Sequence, residues 1–399
     1  MFIPLILLLL FALTGAASAE EPGEISSSQA EITEAAEPTV TISLENGKTV
    51  SGRLIADYRK EDGTGLTALQ RRDGAIEVIH SEEITEMRRT ETPFRPMTQE
   101  EAGQSLLDDL GEAYHIHMTK HFVIAHNTSA TYALWCGKLF ESLYTAFTFY
   151  QNRRGFGLGE PEFPLMAVLL PNRQTFTEYA RRDMPSAEGI AAYFNRNTNR
   201  IVLYDFSEVE TVRGDLQKKK KRASADIEEF LSRPGAAASV TTIIHEATHQ
   251  IAFNRGLFLR SGPYPLWAVE GLSMFFEVPD PRSALGWSFR GSRGKVNTLR
   301  LADLRRILAA ESGDPIEELI REENFHRDPI RSYSLSWGLY YYLQTKEPEK
   351  LARYLKAAAS RPPFSVWSPD DRAADFEAAF GGDRKTFLKN FYKFIGSLE

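Results

Sequence analysis

The chain has 399 residues, of which 42% are hydrophobic and 25% charged, the composition of a folded globular protein long enough for about two domains. A net charge of −7 argues against nucleic acid as the main partner, since a protein that tracks phosphates carries a basic surplus. The single cysteine, Cys136, excludes an intramolecular disulfide and leaves stability to core packing, with or without a metal.

Residues 1–19, MFIPLILLLLFALTGAASA, are an apolar run ending in small residues, with Ala17-Ser18-Ala19 as a cleavage site, and are expected to be a signal peptide. The run lacks the usual preceding Lys or Arg. An uncleaved anchor is the alternative, but the run is short for a span. No later segment reads as a membrane span. The mature protein is therefore expected to be exported: periplasmic, in the cell envelope, or secreted. Residues 20–38, EEPGEISSSQAEITEAAEP, are acidic and poor in apolar groups, and are expected to form a disordered linker.

From residue 39 to 90 the texture changes to short alternating runs, with Asn46-Gly47 and Asp73-Gly74 as hairpin turns. Four or five strands in about fifty residues predict a small β-barrel. The pattern resembles SH3-like or Sm-like barrels, which implies a docking module for a partner or a structural appendage. Residues 91–104 read as a linker, and 105–399 as one domain. That domain opens with HIHMTKHFVIAH as a strand, followed by a helix through about Tyr150, in which Cys136 is expected to be a buried structural thiol. The strand PLMAVLLP, a helix around Thr175–Arg182 and a hairpin (IAAYF, turn NRNTNR, IVLYD) follow. After the basic run Lys218–Arg222, expected to be a solvated loop, everything reads helical. Strands first and helices afterwards predict an α+β fold.

The informative segment is SVTTIIHEATHQIAFNRGL, apolar at helical spacing and closed by Gly256 as C-cap. Within it, His245-Glu246-Ala247-Thr248-His249 is an HExxH motif. Side chains four apart stack on one helix face, so both imidazoles can hold one zinc while Glu246 takes a proton from water. Chance alone gives roughly one such pentapeptide per hundred proteins of this size, and a catalytic zinc needs a third protein ligand.

Downstream lies LWAVEGLSMFFE. It resembles the third-ligand helix of gluzincins, and in particular the W-x-x-E-G-x-[AS] stretch of zinc aminopeptidases. The resemblance implies Glu270, 21 residues after His249, as the third ligand of a His-His-Glu site. Glu277 competes for that role and otherwise reads as a group outside the ligand set. Trp267 and its apolar neighbours are expected to pack this helix on the first, and Gly271 to let the two backbones approach. Residues from about 115 to 380 further resemble an uncharacterised set of exported gluzincin-like proteins, domain-of-unknown-function family 1570. The features that carry this are HFVIAHN, GIAAYFNRNTNRIVLYD, HEATHQIAFNRGL and YSLSWGLYYYL.

The resemblance implies a zincin-like peptidase domain that hydrolyses peptide or protein substrates, with Zn2+ on His245, His249 and Glu270 and Glu246 as general base. Tyr333 is the candidate oxyanion donor or, equally, a core aromatic. The strand around Ala191–Phe194 is expected to pair with an extended substrate, with Tyr193 and Asn195 nearby. His115, His117 and His121 share parity and could hold a second metal or merely line a strand face. The G-x-M-E-N motif of zinc aminopeptidases is absent, so aminopeptidase specificity is not implied. Two alternatives remain: a non-catalytic envelope protein on a zincin scaffold, and a zinc hydrolase acting on a non-peptide amide or ester.

Overall fold

The computed structural model of the protein describes residues 37–59, 63–207, 223–292, 295–311, 313–381 and 383–399. The expected signal segment, all but the end of the 20–38 linker, and Lys218–Arg222 lie outside the described residues. The fold is α+β, with two separate sheets followed by a long helical part.

The first sheet comprises β1 (Pro38–Leu44), β2 (Thr49–Arg59), β3 (Gly65–Gln70), β4 (Ile76–His80) and β5 (Ile84–Pro93). Alternation in β1 turns Val40, Ile42 and Leu44 into a small core with Val50, Leu69 and Ile79. Gly47 at φ 81° and Gly74 at φ 83° supply the left-handed residues that the two tight turns need. The strands are antiparallel in the order β4-β3-β2-β1-β5. The barrel expected over 39–90 is therefore an open sheet, because among the described residues no ladder joins β4 to β5. Along its whole length β5 is exposed or half-exposed, so it offers no apolar face to close against β4.

The stretch 91–104 holds the end of β5, a short connection and the start of α1 (Gln99–Leu110). Thr98 and Glu101 form a capping box at the α1 start. The second sheet is mixed, in the order β6-β7-β8-β10-β9: β6 (His115–Met118), β7 (Phe122–His126), β8 (Leu165–Leu170), β9 (Ala192–Asn195) and β10 (Arg200–Tyr204). Helices α2 (Ala130–Asn152) and α3 (Arg173–Ala180) interleave with these strands. Every residue of the central β8 is buried, as a strand covered on both faces requires. Ile124, Ala167 and Ile201 face the main core with α2, whereas Val123, Val168 and Val202 face a smaller core with α1 and α3.

HIHMTKHFVIAH is two antiparallel strands rather than one. The polar Thr119-Lys120-His121 turn separates them, which moves His121 away from His115 and His117. His121 instead bonds Glu141 through its backbone N–H and Nδ1, both at 2.7 Å, and stacks on Tyr144 at 3.8 Å. Cys136 is buried on α2, and burial pushes its thiol well above the usual range.

The remaining elements are helical: α4 (Ala223–Ser232), α5 (Ala236–Asn254), α6 (Leu266–Phe276), α7 (Phe289–Ser292), α8 (Thr298–Ala310), α9 (Pro315–Arg321), α10 (Pro329–Lys346), α11 (Pro348–Ala359), α12 (Pro369–Phe380) and α13 (Arg384–Gly396). The α5 helix lies on the α2 side of the second sheet. Gln250 Nε2 anchors it there, donating to Met166 O and Asn199 O at 2.8 Å each. Gly256, at φ 77° just past its end, closes it.

The α6 helix meets α5 as expected, through Glu270 and Ser273, but Trp267 and Gly271 face elsewhere. Trp267 stacks on Tyr354 of α11 at 6.0 Å and meets Phe376 of α12 edge-on at 5.9 Å. The close backbone approach at Gly271 is to Ser336 and Tyr340 of α10, not to α5. Among the described residues no helix is long and apolar enough to cross a membrane.

Candidate metal centre

The apolar residues Val240, Ile243, Ile244, Ala247 and Ile251 bury α5 in the main core and fix its rotation. One turn apart on that helix, the rings of His245 and His249 lie 4.7 Å apart and nearly perpendicular. The α6 helix delivers Glu270 against them. Its Oε2 is 3.2 Å from His245 Nε2, and its Oε1 is 3.8 Å from His249 Nε2. The ligand atoms of these three residues lie within 4.8 Å of one another, so the group could hold a metal ion.

The unpartnered atoms test the fit. His249 Nε2, Glu270 Oε1 and Glu246 Oε1 are all buried without a hydrogen-bond partner. Leaving three such groups unsatisfied is costly, whereas a cation between them would satisfy the first two as ligands and attract the third. Two imidazoles and a carboxylate suit a tetrahedral zinc with one open position. His115, His117 and His121 form no comparable group: among the described residues this is the only such cluster.

Two side chains set the imidazole orientations. His245 Nδ1 is 2.7 Å from Glu277 Oε2 and His249 Nδ1 is 3.0 Å from Ser273 Oγ, which leaves both Nε2 atoms facing Glu270. Glu277 thus supports a ligand and is not one of the three. Asn297 Nδ2 donates to its other oxygen at 2.9 Å, and the charge of Arg300 also favours its ionised form. Nothing in the sequence points to Asn297 or Arg300, whereas Ser273 stands at the last position of the W-x-x-E-G-x-[AS] stretch.

Burial governs the electrostatics. It works against the His245 imidazolium, but the carboxylates of Glu270 and Glu277 outweigh it and push His245 up to about 10. His249 has less compensation, and burial brings it down to about 3. Burial, reinforced by the charge of Glu270 and opposed by that of His245, raises Glu246 to about 8. In Glu270 burial is overcome by the two histidines, which hold the carboxyl below its ordinary range.

Glu246 Oε2 accepts the backbone N–H of Phe194 at 2.9 Å. Phe194 lies on β9, the edge of the second sheet, so the edge strand reaches the carboxylate directly. Tyr193, one residue earlier, faces the other core and donates to Asp183 at 2.6 Å. Asn195 Oδ1 is occupied by the N–H groups of Asn197 and Thr198 in its own turn. On α10, Tyr333 packs beneath the guanidinium of Arg300 at 5.6 Å and against Phe325 at 6.1 Å.

No curated protein matches the chain. Over residues 239–365, which contain all three ligand candidates, Glu246, Glu277 and Tyr333, the chain matches the model of a family described as a protein of unknown function, DUF1570.

Proposed function

We propose that the chain is an exported zinc-dependent metallopeptidase. The observation that carries this reading is the convergence of His245, His249 and Glu270 within 4.8 Å, with the unpartnered Oε1 of Glu246 beside them. A zinc ion held there would polarise a scissile carbonyl and acidify a bound water. His245 and His249, oriented by Glu277 and Ser273, present their Nε2 atoms as ligands. Glu246 takes up the proton released by the attacking water and returns it to the leaving amine. In this structure the Phe194 N–H occupies the other oxygen of Glu246 and leaves Oε1 as the unpaired one. Once its Phe194 N–H is released from Glu246, the edge of β9 offers a backbone to which an extended peptide can pair.

The complete burial of the ligand set, at 0–1% exposure, favours a second reading, a non-catalytic metal site on the same scaffold. Glu246 argues against it. A purely structural site has no need for a buried carboxylate that binds no ligand and leaves one oxygen unpaired.

The test is metal content of the purified protein beside Glu246→Gln and His249→Ala, with casein and small-ester hydrolysis in parallel. The metallopeptidase reading expects near-stoichiometric zinc that persists in Glu246→Gln and is lost in His249→Ala, with casein hydrolysis abolished in both. Zinc without hydrolysis favours the non-catalytic site, ester turnover alone favours a non-peptide substrate, and absence of zinc overturns the proposal.

A further inference from the structure

The ligands and Glu246 are 0–1% exposed, and the edge N–H of Phe194 is engaged by Glu246 itself. Donor and base satisfy each other in the position where a substrate backbone would lie. The centre is thus closed in this structure, with β9 held on one side by its ladder to β10 and approached from outside by the first sheet.

The first sheet touches the turn that leaves β9 and the connection between α11 and α12. Ile76, at the start of β4, donates its backbone N–H to Asn197 O at 2.7 Å. Asn197 lies in the turn that leads out of β9. The charge of Asp73 acts on Arg260, which lies in the connection between α5 and α6. Arg260 is only 7% exposed, and its Nη1 donates to Arg196 O in the same β9–β10 turn at 3.2 Å. A second contact crosses to the helical part: Tyr58 of β2 stacks on Phe364 at 5.1 Å and 8°.

Phe364 is a bulky residue at φ 57°, a conformation that persists only where its surroundings enforce it. Its N–H donates to Ser261 O at 2.6 Å, next to Arg260. A bidentate pair, Arg53 to Glu162 at 2.8 Å for both bonds, fastens the same sheet to the α/β half. One small sheet therefore joins the turn beyond the edge strand to the helical half, and through Phe364 to the α5–α6 connection.

We infer that the first sheet is an internal lock on the metal centre: docked through Tyr58, Ile76 and Arg53, it holds β9 against Glu246, and undocking frees the edge strand and opens the centre. The inference rests on the metallopeptidase reading for its meaning, but its mechanical content does not require a metal.

The experiment uses the full chain and the Tyr58→Ala/Arg53→Ala double variant. Hydrogen exchange is followed at the Phe194 amide and, as an internal reference, at Ile201–Leu203 in the core of the same sheet. The lock predicts that Phe194 exchanges faster by about tenfold or more in the variant while the reference amides keep their protection. Unchanged exchange at Phe194 overturns it. If the reference amides also lose protection, the variant has unfolded globally, and Tyr58→Leu, which keeps the apolar contact area but not the ring stack, replaces it under the same criterion.

The second arm loads both proteins with zinc and measures its removal by a chelator. Faster loss from the variant supports the lock, and equal rates count against it. A chain that takes up no zinc fails the metallopeptidase reading, and the exchange arm still decides the lock.

Discussion

Glu277 Oε2 lies 2.7 Å from His245 Nδ1, so a carboxylate 32 residues along the chain decides which nitrogen of His245 is offered to a metal. The ionised form of Glu277 is itself kept in place: burial opposes it, but His245, Arg300 and Asn297 prevail and lower its pKa.

Glu277→Gln keeps the shape and removes the charge. Zinc affinity is expected to fall by about 10- to 100-fold, the usual cost of losing such a partner. Competition with a chromophoric chelator measures it, and an affinity equal to wild type would show that His245 needs no such support. Asn297→Ala, one contact further out, is expected to have a smaller effect of the same sign.

The two histidines are legible because helical periodicity is local, whereas Glu270 comes from the resemblance of its segment to the third-ligand helix of gluzincins. HEATH places two imidazoles on one face wherever that helix goes, and WAVEG supplies a carboxylate on a second helix. What those helices touch was not legible. Trp267 and Gly271 were read as facing α5, yet they meet Tyr354, Phe376, Ser336 and Tyr340, partners about 65 to 110 positions later that no short-range pattern specifies. HIHMTKHFVIAH kept its period-2 parity through a turn, so one strand and two gave the same signal until pairing separated His121 from His115. The open first sheet has a similar origin, since strand spacing predicts strands but not whether the two edges meet.

Gly271→Ala tests the α6–α10 contact. A Cβ there would clash with Ser336 O and Tyr340 Cβ, and a backbone carbonyl on a packed helix cannot rotate aside. The expected cost is about 2–3 kcal/mol in chemical denaturation, in the range for overpacking a buried site. A loss under about 0.5 kcal/mol would mean that the helices separate more easily than their packing suggests.

Zinc should also stabilise the fold, because His249 Nε2 and Glu270 Oε1 are buried without partners. At a free zinc concentration of about 100 times Kd, binding adds roughly 2.7 kcal/mol, which corresponds to a rise in Tm of about 3 °C for a chain of this length. Calorimetry on metal-stripped and reloaded protein measures the difference. His249→Ala should show little of it, and equal shifts in both proteins would place the stabilising zinc somewhere other than this centre.

Glu322 gives a pH dependence separate from the metal ligands. Its carboxylate accepts the Leu266 N–H at 2.6 Å, at the N-terminus of α6, and pairs with Arg372 at 3.1 Å. Burial nevertheless outweighs both and raises it from 4.5 to about 7. A carboxyl whose folded pKa lies above its unfolded value binds its proton more tightly in the native state. Its contribution to stability is therefore complete below pH about 4.5 and is lost as pH rises through about 7. A shift of that size corresponds to about 3 kcal/mol. Unfolding free energies measured between pH 4.5 and 8 should fall by about that amount more in wild type than in Glu322→Gln, where the amide oxygen can still accept the Leu266 N–H without carrying a charge. Parallel curves for the two proteins would mean that Arg372 holds the carboxylate ionised throughout, and that charge pairing rather than burial governs the start of the helix that carries Glu270.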